Sequence, residues 1–178
     1  MLNNDIDTLL AKQNIRDVLS HYCRGLDRMD KTLARSVFDD DAPAHYYDVY
    51  QGTGHGFIDY VWQAHATMQR HSHQISNVLI DVHGDTAVSE SYVTVLLWTK
   101  PDSDGQQREI VIRGRYLDRW RRRQQQWVIV NRIHVVDTHT VSDLCSDASG
   151  QKSAVYKGPV SEQSAANQTD PSFELFGR

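Results

Sequence analysis

The spacing of apolar residues changes once along this chain, near residue 70, and this change limits the folds that the chain can adopt. Between residues 5 and 26 apolar side chains recur every three or four positions, as on one face of an α-helix. Gly25 stands near the expected end of this helix, where tolerance of a left-handed conformation is useful. From His73 onward β-rich runs alternate with turns. The connections are too short for crossover helices and therefore predict consecutive antiparallel hairpins.

The predicted elements follow an α+β order. Helices are expected at residues 5–26, 31–38 and 57–68. The segment between the last two helices should hold a short strand at residues 44–49 and a Gly-rich turn through Gly52, Gly54 and Gly56. Long strands are expected at residues 73–82, 86–99, 110–121 and 127–140. Three helices packed on one strongly curved, mostly antiparallel sheet would form a cone with an open mouth.

The length of the chain predicts one domain followed by a tail. A chain of 178 residues is within the usual size of a single domain. We place the domain at residues 1–141 and a mostly irregular tail at residues 142–178, where Ser, Gly, Gln, Asn and Asp are frequent. The apolar stretch at residues 173–176 is expected to dock on the domain or on a neighbouring subunit.

Composition predicts an ordinary soluble protein. The sequence has 39% hydrophobic residues and 19 basic against 23 acidic residues, so nothing recommends nucleic acid as a partner. The dense basic run at residues 119–123 is expected to be the solvated end of a hairpin. No signal peptide and no membrane-spanning run is present, and Cys23 and Cys145 lie far apart. We therefore expect no membrane association and a cytoplasmic protein with reduced thiols.

Asp27 and His73 are the most informative pair for function. Asp27 follows the predicted first helix, and His73 opens the first long strand. A carboxylate that orients an imidazole and stabilises its protonated form is the minimal device for taking a proton from carbon without a cofactor. The helix dipole disfavours an aspartate at this helix end, so Asp27 needs a partner or solvent. His73 should share a strand face with Ile75 and Asn77. Its competitors as the base are His55, His65 and His71.

The last predicted strand offers further candidates. Alternation puts five residues on one face, namely Val128, Val130, Arg132, His134 and Val136. Trp127 and Ile129 would point to the other face. Arg132 needs either an anionic partner or a place at a pocket mouth, and we favour the pocket. His134 is either a second acid or base or a polar part of the pocket wall.

The order of elements and several motifs resemble the SnoaL-like branch of the nuclear transport factor 2 superfamily. The resemblance covers about residues 5–141 and includes the Gly84-Asp85-Thr86-Ala87 turn, the Gly114-Arg115-Tyr116 segment and the hairpin into Trp127. Members of this family form an α+β cone that encloses a hydrophobic pocket. The resemblance implies that fold here, although a shared fold does not by itself carry a function.

The site pattern is similar to that of bile acid 7α-dehydratase, scytalone dehydratase and hexachlorocyclohexane dehydrochlorinase in this family. The resemblance implies that Asp27 and His73 form a catalytic pair and that Tyr22, five positions before the aspartate, belongs to the site. It also implies active-site roles for Arg132 and Tyr46. Without the resemblance, Tyr22 would be a core tyrosine whose hydroxyl is bonded internally.

Leu26 departs from the family pattern. Scytalone dehydratase has a tyrosine directly before its aspartate, whereas this chain has leucine at that position. The substrate of that enzyme is therefore not implied here, while the shared pair of aspartate and histidine is.

We predict a cofactor-independent lyase that acts on a hydrophobic substrate, aromatic or polycyclic. His73 would take a proton from carbon, and Asp27 would orient His73 and balance its charge. Tyr22, Tyr46 or Arg132 would polarise a carbonyl or support the departure of a hydroxyl. Substrate contacts are expected from Tyr46, His134, Val130 and Val136. Loss of water is the leading outcome, and loss of another small group, such as an aldehyde in a retro-aldol step, needs the same machinery.

Two other functions stay open. An isomerase of the ketosteroid type would use the same pair, whereas a ligand-binding protein or a small dioxygenase-type subunit would need no such pair. The sequence has no Gly-rich phosphate loop and no metal-ligand spacing, so neither a cofactor nor a metal is expected. Residues 92–98 are apolar on both strand faces and predict a homo-oligomer, a dimer or a trimer, joined through the sheet.

Overall fold

Three helices pack on one curved, open, six-stranded sheet, which confirms the predicted α+β fold. The structure is a computed structural model and describes residues 2–144, 167, 169, 172 and 173. The helices are α1 Leu2–Asp27, α2 Lys31–Ser36 and α3 Gly54–Ala66. The strands are β1 Pro43–Tyr46, β2 Tyr50–Thr53, β3 Met68–His83, β4 Thr86–Thr99, β5 Arg108–Arg123 and β6 Gln126–Asp143. None of the described helices is long and apolar enough to cross a membrane.

The strand order places the first strand, β1, beside the last strand, β6. The order in the sheet is β2-β1-β6-β5-β4-β3. From β3 to β6 each strand pairs antiparallel with the next, which confirms the predicted hairpins. β1 pairs in parallel with β6 and places Tyr46 opposite His134. Two predicted site residues therefore become neighbours on one face of the sheet.

The segment before α3 differs from the prediction. The chain turns directly after β1 at Tyr47, which has a left-handed φ of 45°. α3 begins at Gly54, because the Thr53 hydroxyl accepts a hydrogen bond from the Gly56 N–H and caps the helix. The predicted Gly-rich turn was therefore wrong, since Gly54 and Gly56 lie in the first turn of the helix.

The end of α1 is fixed by a cap and by a close helix contact. Met29 is left-handed with a φ of 52°, and the Asp30 N–H donates to the Gly25 carbonyl at 2.8 Å, as in a Schellman cap. Gly25 was expected in the left-handed position but lies within the helix. It is required for packing instead, because a Cβ there would lie 2.6 Å from the Ala34 backbone nitrogen in α2. This packing fixes the helix end that carries Asp27.

A β-bulge at Val130 changes the predicted faces of β6. Ile129 pairs with Trp120, and Arg132 pairs with Asp118. Trp120 and Asp118 lie two apart on β5 and share a face, so their partners on β6 share it too. The prediction that Ile129 and Arg132 face opposite sides was wrong, because one inserted residue reverses the alternation.

β3 is longer than predicted. It begins at Met68, so His73 lies inside the strand rather than at its start. His73 and Ile75 keep the expected common register, since both pair in step with β4. Asn77 does not, because it lies at a β-bulge with a left-handed φ of 48°.

Phe173 docks on α1. Its side chain is buried, and the guanidinium carbon of Arg24 lies 4.9 Å from the ring centroid. This contact agrees with the expectation that residues 173–176 dock on the domain. The rest of that stretch and Cys145 lie outside the described residues. β6 runs on to Asp143, and the division of the chain at residue 141 stays a prediction.

Replacing Gly25 with alanine should destabilise the protein through the contact between α1 and α2. We expect Gly25→Ala to lower the free energy of unfolding by about 1–3 kcal/mol, as is typical of overpacking, because the new methyl group meets backbone atoms of Ala34. Urea denaturation measures the change. Ser20→Ala, at an exposed position on the same helix, is the control and should change stability little. Equal stability of the two variants would contradict the packing argument.

Candidate active site

Asp27 and His73 meet, as the sequence predicted. Asp27 is the last residue of α1, and its Oδ1 lies 2.6 Å from Nδ1 of His73 on β3. Its Oδ2 accepts a hydrogen bond from the His73 backbone N–H at 3.0 Å. These two donors offset the unfavourable position of the carboxylate at a helix C-terminus. The side chains of Asp27 and His73 are 13% and 5% exposed, so the contact is largely shielded from water. The carboxylate fixes the tautomer in which Nδ1–H is the donor.

A cavity of about 180 Å³ opens beside His73. Its apolar wall includes Leu26, Phe57, Val61, Val95, Leu97 and Ile112. Its polar lining includes Tyr22, Tyr46, Tyr116, His65, His73 and His134. His73 lines the cavity and Asp27 does not, so the imidazole stands between the carboxylate and the cavity. Nε2, on the opposite side of the ring from Nδ1, is the nitrogen that is free to act there.

Three buried tyrosines form one wall of the cavity. The hydroxyls of Tyr22 and Tyr46 lie 2.8 Å apart, and the rings of Tyr22 and Tyr116 meet edge to face. Burial raises the pKa of all three phenols above the usual range, so they are neutral donors. For Tyr46, the charge of Arg132 and the hydrogen bond with Tyr22 oppose this rise in pKa. Tyr46 is therefore the better acid of the pair, and we orient the bond so that Tyr22 donates to Tyr46.

Arg132 lies fully buried behind these tyrosines. Its Nε and Nη2 donate to the two carboxylate oxygens of Asp118 at 2.7 and 2.8 Å. Its guanidinium carbon lies 4.4 Å from the ring centroid of Tyr22 and 4.1 Å from that of Tyr116. The preference for a pocket mouth was wrong, because Arg132 meets a carboxylate and is 0% exposed. Its influence on the cavity is electrostatic and passes through the tyrosines.

Three further buried or half-buried histidines lie near His73. The rings of His65 and His71 stack with their centroids 4.3 Å apart, and the His65 centroid lies 5.7 Å from that of His73. His71 Nε2 donates to the Leu26 carbonyl at 2.8 Å and so anchors the end of α1. Burial lowers the pKa of His65 to about 2 and of His134 to about 4, and it also lowers the pKa of His71. All three are neutral near pH 7 and offer hydrogen bonds rather than charge.

The model of one family, the SnoaL-like domain, matches residues 7–133 of the chain. The chain belongs to the SnoaL-like domain family. This confirms the family that the sequence resembles. No curated protein sequence matches the chain.

Several solved structures are similar to this SnoaL-like domain. A putative scytalone dehydratase from Novosphingobium aromaticivorans is 20% identical, with 79% of this chain and 91% of that chain covered and a TM-score of 0.67. A hexachlorocyclohexane dehydrochlorinase, LinA Type2, is 20% identical, with 78% and 93% covered and a TM-score of 0.66. The Kfla4162 protein from Kribbella flavida is 15% identical, with 72% and 91% covered and a TM-score of 0.64. At these identities the likeness shows the fold alone.

The other predicted site residues of the SnoaL-like domain divide into two groups. Tyr46 and His134 line the cavity, whereas Tyr47 is 61% exposed. Val130 lies at the bulge and lines a separate surface cleft. Val136 is not among the described residues that line the cavity. The structure therefore does not bring the two valines to the site.

Sequence reasoning missed the parts played by His65, Tyr116 and Asp118. His65 was considered only as a rival base, and Tyr116 only as part of a fold motif. The signal for Asp118 was present, since alternation on β5 puts it on the same face as Tyr116 and Trp120. An acid flanked by aromatic residues on one strand face indicates a buried partner for a nearby arginine.

The buried histidines predict that the domain loses stability in mild acid. In the unfolded chain His65 and His134 would have a pKa of about 6.5, far above their values in the folded state. Below that pH the unfolded state binds protons that the folded state does not. The free energy of unfolding should therefore fall as pH drops, by about 2 kcal/mol for each histidine at pH 5.

Urea denaturation at pH 7.5 and pH 5 measures this loss. The variant His134→Gln should lose about 2 kcal/mol less stability between the two pH values than the unmodified protein. His139→Gln, at an exposed position on β6, is the matched control and should behave like the unmodified protein. An unchanged pH dependence in His134→Gln would contradict the neutral, buried state of this side chain.

Proposed function

We propose that this protein is a cofactor-independent lyase that removes a proton from carbon and expels water or another small group from a hydrophobic, aromatic substrate. The contact between Asp27 and His73 at the edge of an apolar cavity carries this proposal. A base oriented by a carboxylate and placed beside an apolar wall is suited to weak carbon acids. The names of two similar structures, a dehydratase and a dehydrochlorinase, agree with it but show only a common fold.

The groups in the cavity divide into a base and an acid. His73 Nε2 takes the proton from carbon, and Asp27 stabilises the imidazolium that forms. The electron pair of the broken C–H bond becomes a carbon–carbon double bond, and the bond to the leaving hydroxyl breaks. Tyr46 donates its proton to that hydroxyl, so the leaving group departs as water. Arg132 supports the resulting phenolate from behind the ring wall.

The cavity favours a small substrate. Its volume of about 180 Å³ is close to that of an apolar protein cavity of about 150 Å³ that admits benzene. One aromatic ring with a short side chain fits these dimensions better than a polycyclic skeleton. Larger substrates would have to extend through the mouth, where Val49 and Tyr60 are exposed.

Three alternatives lead to different products. A retro-aldol cleavage would use the same base on a hydroxyl proton and release an aldehyde, and an isomerase would return the proton to another carbon of the same molecule. A ligand-binding protein without activity would not need a carboxylate within 2.6 Å of the imidazole, so this contact counts against it. The products therefore decide between the alternatives.

A homo-oligomer joined through the sheet and a cytoplasmic location remain part of the proposal. Val88, Tyr92 and Ile133 lie on the outer face of the sheet and are each about two-fifths exposed. Apolar residues grouped on one exposed face favour a contact with a second copy of the chain.

His73→Gln should lose most of its turnover while the protein stays folded. A suitable probe is a β-hydroxy ketone with one phenyl ring on the hydroxyl-bearing carbon. Loss of water gives a conjugated enone with strong ultraviolet absorption, and retro-aldol cleavage gives benzaldehyde and a ketone.

We expect the rate to fall by about 10²–10⁴ in His73→Gln, because proton transfer loses its base. His83→Gln is a matched control, since His83 also contacts an aspartate, Asp81, but at the surface. Turnover within a few-fold of the unmodified protein in His73→Gln would remove the mechanism.

Tyr46→Phe should slow the reaction more than Tyr22→Phe. The first variant removes the proton donor, whereas the second removes only a hydrogen bond to it. We expect the rate to fall by about 10²-fold or more in Tyr46→Phe and clearly less in Tyr22→Phe, measured as kcat with the same probe. Tyr47→Phe, at an exposed position, should leave kcat unchanged. A larger loss in Tyr22→Phe would reverse the roles of the two phenols.

A further inference from the structure

His65 lines the cavity beside the proposed base, and the proposed mechanism gives this second imidazole no role. His65 lies at the end of α3 and is 5% exposed. Its ring centroid is 5.7 Å from that of His73, and both rings line the cavity. Stacking on His71, with the planes 29° apart, holds the ring in place. Two fixed imidazoles at this separation can reach neighbouring atoms of one bound molecule.

The surroundings of His65 indicate which nitrogen carries its proton. Nδ1 is buried and has no hydrogen-bond partner among the residues that the structure describes. The ring lines the cavity, so the opposite edge with Nε2 faces the open space. A neutral imidazole carries one proton, and buried N–H groups without an acceptor are rarer in proteins than unsatisfied acceptors. The proton therefore belongs on Nε2, where a ligand or water can accept it.

His71, which stacks on His65, has the same tautomer. Its Nε2 donates to the Leu26 carbonyl, so its own Nδ1 carries no proton. The two stacked rings are then neutral and have their protons on the same ring position. Burial keeps the pKa of His65 at about 2, so the ring cannot become a cation during the reaction. It is a fixed donor, and it does not compete with His73 for the substrate proton.

We propose that His65 is a substrate-binding residue whose Nε2–H donates a hydrogen bond to an acceptor oxygen next to the carbon that His73 deprotonates. This proposal rests on the proposed function and narrows its substrates to neutral carbonyl compounds with a proton on the adjacent carbon. When that proton leaves, negative charge moves onto the oxygen, and the hydrogen bond strengthens. A neutral imidazole can polarise a carbonyl in this way without giving up its proton.

The test compares two ligands that differ only in the oxygen. One is a methyl ketone with a phenyl ring at the end of a short chain and no leaving group, and the other is the hydrocarbon of the same skeleton. Calorimetry gives the affinity of each, and the quantity compared is the affinity for the ketone relative to the hydrocarbon. His65→Leu should lower this relative affinity about fivefold, the effect of one net hydrogen bond. His65→Gln, which keeps an N–H donor of similar reach, should retain most of it.

Control variants distinguish the donor role of His65 from an effect of cavity shape. They also distinguish it from the proposed lyase activity. His55→Leu, on the same helix but outside the cavity, should leave the relative affinity unchanged. An unchanged value in His65→Leu, or an equal loss in His65→Leu and His65→Gln, would overturn the donor role. His73→Gln should keep the preference for the ketone while losing turnover. If His73→Gln instead kept its turnover, the lyase mechanism would fail, while the binding result would still decide the role of His65.

A measurement without a cavity mutation checks the same point. Nitrogen NMR of the histidine-labelled protein reports which ring nitrogen carries the proton. His65 should be a neutral Nε2–H tautomer throughout pH 5 to pH 8, and its N–H proton should move downfield with the ketone but not with the hydrocarbon. A proton on Nδ1, or equal shifts with both ligands, would overturn the proposal.

Discussion

The buried ion pair between Arg132 and Asp118 is the interaction on which the rest of the site depends. It joins the neighbouring strands β6 and β5 behind the cavity, and neither side chain is exposed. Burying two charges is costly, and even a bidentate pair only roughly offsets that cost, so apolar residues of the same size would stabilise the fold about as well. The contribution of the pair to the site is electrostatic. It holds a positive charge against the rings of Tyr22 and Tyr116 and favours the phenolate form of Tyr46.

Local patterns were sufficient to predict the three helices and the four long strands. Helical spacing predicted the helices, and short turns between β-rich runs predicted the antiparallel hairpins. The contact between Asp27 and His73 could be predicted because the order of elements matches a family in which these positions meet. The same resemblance favoured Tyr46 over Tyr47; Tyr46 lines the cavity, whereas Tyr47 follows the end of β1 and is exposed. Alternation alone could not have chosen between two adjacent tyrosines, since it says only that they point to opposite sides.

The register that puts Asp118 opposite Arg132 could not be predicted in this way. The turn at residues 124–125 is two residues long, and a regular hairpin continued from it would pair Asp118 with Asn131. The extra residue at Val130 moves Asp118 opposite Arg132 and turns the arginine to the inner face. A bulge adds one residue, and neither the composition of the sequence nor its apolar alternation reveals it. The predicted faces of β6 were therefore wrong near Arg132, although the strand itself was predicted.

The distribution of charge around the cavity favours neutral substrates. The buried histidines and tyrosines that line it beside His73 are neutral, so a charged substrate would give up its hydration without finding a counter-ion. Charged groups stand just outside, with Asp27 behind the base and Arg132, paired with Asp118, against the tyrosine rings. In the proposed reaction, transfer of a proton to His73 creates a positive imidazolium and a negative substrate. Asp27 has the sign that stabilises the imidazolium, and Arg132 has the sign that stabilises the substrate. Because both act on charges that form only during the reaction, they stabilise the transition state more than the bound substrate, which is the condition for catalysis.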